Sequence, residues 1–167
     1  MTDPVYTPPK RRRRAKGTSV VLPALALAVL VYVVDQIIKI LIENTMSVGE
    51  SIPLVGDFFS LTYILNDGGA FGIFGGSQII LMAGSAVAVV VVLWMLLAGP
   101  PSKLTTVGCG LILGGAAGNL HDRITSGEVT DYVHFSFWYI FNAADAAIVV
   151  GVGMLLISSL FPEKDRS

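Results

Sequence analysis

The sequence predicts an all-α membrane protein of four transmembrane helices, with a small extracytoplasmic sheet and a short interfacial helix. Three observations predict it. Apolar residues make up 53% of the 167 residues, and the mean hydropathy is +0.72. Four apolar runs each approach the ~20 residues needed to cross a hydrocarbon core. Nine of the eleven Lys and Arg residues fall on one side of those runs, which fixes an orientation.

Taken in order, residues 1–17 form a basic tail with six of the eleven cations, Lys10, Arg11 to Arg14 and Lys16. No aromatic-rich or groove-reading domain follows, so the tail reads as a cytoplasmic anchor and no nucleic-acid partner is expected. The body of the chain is 18–161, with spans at about 18–42, 77–98, 104–120 and 140–161. The first is broken only by Asp35 and Lys39, and it is too long for a signal-peptide core. An outer loop, 43–76, contains β-prone residues 58–65, then the turn signal Asn66-Asp67-Gly68-Gly69 and an interfacial turn at 70–74. The second span carries no charge and ends in the turn Pro100-Pro101-Ser102-Lys103. The third is shorter and glycine-rich, which suits close helix packing in a membrane. A second outer loop, 121–139, leads to the fourth span, whose one charge is Asp145. Residues 162–167 return to the cytoplasmic side, where both termini lie.

The polar residues inside the apolar segments gather at one depth. Asp35 and Lys39 stand one turn apart, in the order that favours a helical ion pair. Asp145 lies just inside the outer end of the fourth span, fourteen positions after Asp131. An ionisable group in a membrane segment is expensive and by default marks function. Two close carboxylates that share a proton can activate water and protonate a leaving amine. Simpler readings stand beside this: Asp131 as a solvated loop carboxylate, Asp145 as a proton-relay residue, and Arg123 as the neutraliser of Asp122 or Glu128. His121 and His134 have no compact ligand set beside them, so no metal is expected. Ser60, Ser77 and Ser126 lack a matched His-Asp arrangement. Cys109, between two glycines, reads as a small packing residue. Phe135, Phe137, Trp138, Tyr139 and Phe141 read as an interfacial aromatic belt.

Five motifs follow one another along the chain: Asp35-x-x-x-Lys39, Asn66-Asp67-Gly68-Gly69-Ala70-Phe71-Gly72, Gly114 to Arg123, Val129-Thr130-Asp131-Tyr132, and Phe141-Asn142-Ala143-Ala144-Asp145. In this order, from about Asp35 to Ile148, the chain resembles the lipoprotein signal peptidases, the signal peptidase II family. The resemblance implies an aspartic endopeptidase of the bacterial cytoplasmic membrane, with four transmembrane helices and an outer β-cradle. Such enzymes cut prolipoproteins just before a diacylglyceryl-modified cysteine, at the outer face and without a cofactor. The family's catalytic aspartates map onto Asp131 and Asp145. Its supporting polar residues map onto Asp35, Lys39, Asn66, Asn119, Asp122, Arg123 and Asn142. The expected partners are diacylglyceryl prolipoproteins and membrane lipid, with the protein a monomer. Two departures stand out: His121 where the family more often has an apolar residue, and a short stretch between Asp131 and Asp145. The alternatives are a small proton- or ion-coupled transporter and a non-enzymatic scaffold packing through the third span. No internal repeat supports the former, and the latter leaves the two aspartates unexplained.

Overall fold

The computed structural model describes residues 18–68, 78–98 and 102–161. The expected basic tail, interfacial helix at 70–74, Pro100-Pro101 turn and C-terminal tail lie outside them. Four helices, α1 (Thr18–Thr45), α2 (Gln78–Ala98), α3 (Lys103–Thr125) and α4 (Ala143–Leu160), surround one another beneath a three-stranded sheet. Its strands are β1 (Ser51–Val55), β2 (Phe59–Asn66) and β3 (Val129–Phe135).

The helices form where apolar residues run without interruption, and their packing is set by small residues. α3 is central and touches each of the other three. Its glycines allow backbone contact: a Cβ on Gly110 would meet the Ala24 carbonyl oxygen at 2.8 Å, and one on Gly108 the Gly151 carbonyl at 2.9 Å. Cys109 is fully buried between them, in a cluster with Ala24, Ala28, Val92, Leu96, Ile112 and Leu113. α1 turns one stripe inward, Ala24, Ala28, Asp35, Lys39 and Ile42, at helical spacing, and Met46 just past its end is buried with them. Its other faces expose Leu22, Val29, Leu30, Ile37 and Leu41, and α4 exposes Val149, Val150, Leu156 and Leu160. An apolar exterior of this extent is consistent with a membrane protein. Within α1 the stretch Val20–Thr45, and in α4 Ala143–Leu160, are long and apolar enough to cross a bilayer.

The sheet lies at the end of the bundle where α1 and α3 finish. β1 and β2 pair antiparallel from Ser51↔Thr62 to Val55↔Phe59, around a turn where Gly56 takes φ 47°. β2 and β3 pair antiparallel from Phe59↔Phe135 to Asn66↔Val129, with an irregularity between Leu61 and Ile64. The residues expected to be β-prone, 58–65, are nearly those of β2. β3 corrects the reading of 121–139 as loop: the Val-Thr-Asp-Tyr-Val-His-Phe run is β-branched and aromatic, and β2 supplies its partner. The same segment shortens further because α3 continues to Thr125, where Ser126 caps it through its N–H to the Asp122 carbonyl at 2.8 Å. α4 begins three residues later than expected, because Asn142 is its N-cap.

Candidate active site

The start of α4 is fixed from three elements. The Asn142 side-chain oxygen accepts from the Asp145 N–H at 2.9 Å, and Asp145 Oδ2 accepts from the Asn142 N–H at 3.2 Å, a capping box. From α1, Asp35 Oδ1 accepts from the Ala144 N–H at 3.0 Å. From β3, the Tyr132 hydroxyl accepts from the Ala143 N–H at 3.1 Å. The backbone donors that a helix start leaves unpaired are thereby used to hold Asp145 in place.

Asp131 comes to the same point from the sheet. It is 1% exposed, so it is not the solvated loop carboxylate of the simpler reading. Asn66 Nδ2 donates to its Oδ2 at 2.8 Å and Asn142 Nδ2 to its Oδ1 at 2.7 Å. Asn66 is itself oriented by the turn after β2, its Oδ1 accepting from the Gly68 N–H at 2.9 Å. Burial pushes the Asp131 carboxyl up to about 7; the Asp145 charge adds to this, and the Asn66 and Asn142 donors and Lys39 oppose it. Burial likewise pushes the neighbouring Tyr132 phenol up to about 12, so it stays a neutral acceptor for the helix.

Beneath the two aspartates lies a buried charge cluster. Lys39 reaches Asp35 at 2.8 Å and Asp122 at 2.6 Å, and donates to Asn119 Oδ1 at 3.0 Å. Asn119 passes the network on, its Nδ2 donating to Asp145 Oδ1 at 2.7 Å while its Oδ1 also accepts from Asn142 Nδ2 at 3.0 Å. Asp122 makes its ion pair with Lys39, while its charge also acts on Arg123. Arg123 donates to the Asn119 carbonyl at 3.4 Å, with Asp145 and Asp131 among the charges acting on it. The nine residues singled out in the sequence, Asp35, Lys39, Asn66, Asn119, Asp122, Arg123, Asp131, Asn142 and Asp145, therefore meet in one polar region. Four carboxylates here face two cations, so the region favours keeping a proton.

Sequence reasoning passed over three members. Gln36 donates to Asp122 Oδ1 at 2.9 Å, Tyr132 holds the helix start, and Thr130 donates to Glu43 at 2.6 Å. All three adjoin Asp35 or Asp131 in sequence, which was the available signal. The histidines are placed apart from one another's partners: His121 Nδ1 lies 3.1 Å from the Tyr32 hydroxyl, and His134 Nδ1 lies 3.1 Å from Thr62 Oγ1. The aromatic residues do cluster, Phe59 stacking on Phe135 at 4.9 Å and Phe135 on Phe141 at 6.2 Å.

The chain is similar to known proteins over most of its length. A family model described as signal peptidase (SPase) II matches residues 27–161. The lipoprotein signal peptidase of Desulfitobacterium hafniense is 42% identical over 137 residues, covering 81% of this chain and 91% of that protein. That of Halothermothrix orenii is 40% identical over 131 residues, covering 78% and 90%. A solved structure, described as a bacterial membrane enzyme determined by the in meso method at 2.3 Å, superimposes with a TM-score of 0.78. It shares 26% identity and covers 88% of this chain and 94% of its own.

Proposed function

This chain belongs to the signal peptidase II family, and from that premise we propose that it is a membrane aspartic endopeptidase. It removes signal peptides from diacylglyceryl-modified prolipoproteins, cutting just before the lipidated cysteine, with Asp131 and Asp145 as the catalytic pair. The observation that supports this best is the shared Asn142, which donates to Asp131 and accepts from the Asp145 N–H.

The chemistry follows from the pair. Peptide hydrolysis needs a base for water and an acid for the leaving amine. With Asp131 pushed up to about 7, the pair holds one proton near neutrality. The ionised member takes a proton from water as it attacks the scissile carbonyl, and the protonated member polarises that carbonyl. The roles then exchange as the amine departs. Asn66, Asn119 and Asn142 hold the carboxylates; Asp35, Lys39 and Asp122 hold the helices that bear them. Arg123 positions the site or the lipid-linked substrate.

All four helices are taken as spans of the bacterial inner membrane, with both termini cytoplasmic and the sheet at the outer face, by the distribution of cations. On that reading the pair lies at the depth where a lipid-anchored peptide presents its cleavage site. The protein acts as a monomer without a cofactor.

The test is cleavage of a diacylglyceryl-modified prolipoprotein by the purified protein in detergent. A single cut before the modified cysteine is expected, and Asp131→Asn and Asp145→Asn should each lower turnover at least about a thousandfold while the protein still folds. Retained turnover in either variant overturns the pair.

A further inference from the structure

We propose that Glu43 and Thr130 form a latch between α1 and β3 that positions Asp131 for cleavage; this rests on the reading of Asp131 as half of the catalytic pair. Thr130 is 3% exposed, and its hydroxyl donates to Glu43 Oε1 at 2.6 Å. A hydroxyl on an ionised carboxylate is a short, strong bond of the charge-assisted kind. Among the described residues it is the hydrogen bond that joins these two elements. Glu43 stands one helical turn beyond Lys39, so the helix that bears the buried cation also holds the strand that bears Asp131.

Thr130 is held at both ends. While its side chain reaches α1, its carbonyl oxygen accepts from Asn142 Nδ2 at 3.3 Å, the amide that also reaches Asp131. The peptide joining Thr130 to Asp131 is thus clamped between the end of α1 and the start of α4. Tyr63 of β2 closes the corner: the residue is buried, and burial together with the Glu43 charge holds its phenol above its ordinary value, opposed by its side-chain hydrogen bond with Thr130. Among the described residues the Asp131 carboxylate takes its bonds from Asn66 and Asn142 while Glu43 bonds Thr130, so the latch works through position. Glu43 and Thr130 are positioning residues.

Five variants of the full chain test this, assayed in detergent on a diacylglyceryl-modified prolipoprotein. Thr130→Val keeps the β-branched shape without the donor, and Glu43→Leu removes the acceptor. Each should lower kcat about tenfold or more, with KM within about twofold of wild type. Thr130→Ser and Glu43→Gln, which preserve a bond, should restore kcat to within about threefold. The double variant Thr130→Val/Glu43→Leu should be no worse than Thr130→Val alone, because Thr130→Val already removes the bond to Glu43. Since Glu43 is solvent-exposed, the thermal midpoint should hold in Glu43→Leu and Glu43→Gln. Wild-type kcat in Thr130→Val overturns the latch, as does a loss confined to KM or one that Thr130→Ser fails to restore. A wild-type protein that cleaves nothing, or an Asp131→Asn variant that cleaves normally, overturns instead the reading of the site on which the latch rests.

Discussion

Asn142 donates its side-chain amide to the Asp131 carboxylate at 2.7 Å while serving as the N-cap of the helix that bears Asp145. One buried side chain therefore sets two distances at once: that of Asp131 from the helix start, and that of Asp145 from the cap. The cap and the pair are separable by substitution, because a serine can accept from the Asp145 N–H without reaching Asp131.

Asn142→Ser and Asn142→Ala should accordingly be equally inactive yet unequal in stability. Each loses the donor to Asp131, and kcat should fall about a hundredfold in both. Serine keeps the cap acceptor, so Asn142→Ala should be less stable by about 1 kcal/mol. Turnover and thermal unfolding of the two purified variants decide the matter; full activity in Asn142→Ser would show that the amide is only a cap.

The pH dependence follows from Asp131. Its folded value is raised, from 3.8 to about 7, so the folded state binds its proton more tightly than the unfolded chain does. The resulting stability is full below about 4, declines as pH rises, and is gone above about 7. Thermal midpoints in detergent should fall across that interval, and Asp131→Asn should flatten the slope. Turnover should likewise fall on the alkaline side with an apparent value near 7, as the pair loses its shared proton. A wild-type midpoint that rises steadily from pH 4 to pH 7 would contradict the sign.

Lys39→Met should be among the most destabilising single changes. Lys39 is 2% exposed and neutralises Asp35 and Asp122, so its removal leaves two buried carboxylates without a cation, at a cost of about 3–5 kcal/mol. Adding Asp122→Asn should recover part of the loss. Asp122→Asn alone should be milder, since Lys39 keeps Asp35 and Asn119. Chemical unfolding of the three variants, compared with wild type, ranks them.

What the sequence made legible was whatever depends on neighbours in the chain. The apolar runs located all four helices, and the aspartate four residues before Lys39 anticipated their ion pair at 2.8 Å. What escaped depended on distant partners. α3 continues past 120 because Asp122 is buried on Lys39, eighty-three positions earlier, and an apolar count reads Asn119 to Arg123 as an exit from the membrane. β3 escaped because a strand needs its partner, and β2 lies more than sixty residues upstream. Asp131 looked solvated for the same reason: its donors, Asn66 and Asn142, come from another strand and from a helix cap. The motif order assembled these residues where spacing alone did not.

Gly118 and Gly84 should respond oppositely to alanine. A Cβ at Gly118 would meet Asp35 Oδ2 at 2.5 Å, and that carboxylate cannot retreat, being held by Lys39 and by the Ala144 N–H. Gly118→Ala must push α1 from α3 or drag the start of α4, so it should cost about 1–3 kcal/mol and reduce turnover with it. At Gly84, on an exposed face of α2, a Cβ meets nothing within 4 Å. Gly84→Ala should be neutral, or stabilising by up to about 1 kcal/mol through helix propensity. Thermal midpoints and turnover of the two variants side by side separate close packing around Asp35 from a general intolerance of the glycines; equal losses at both positions would rule out the specific contact.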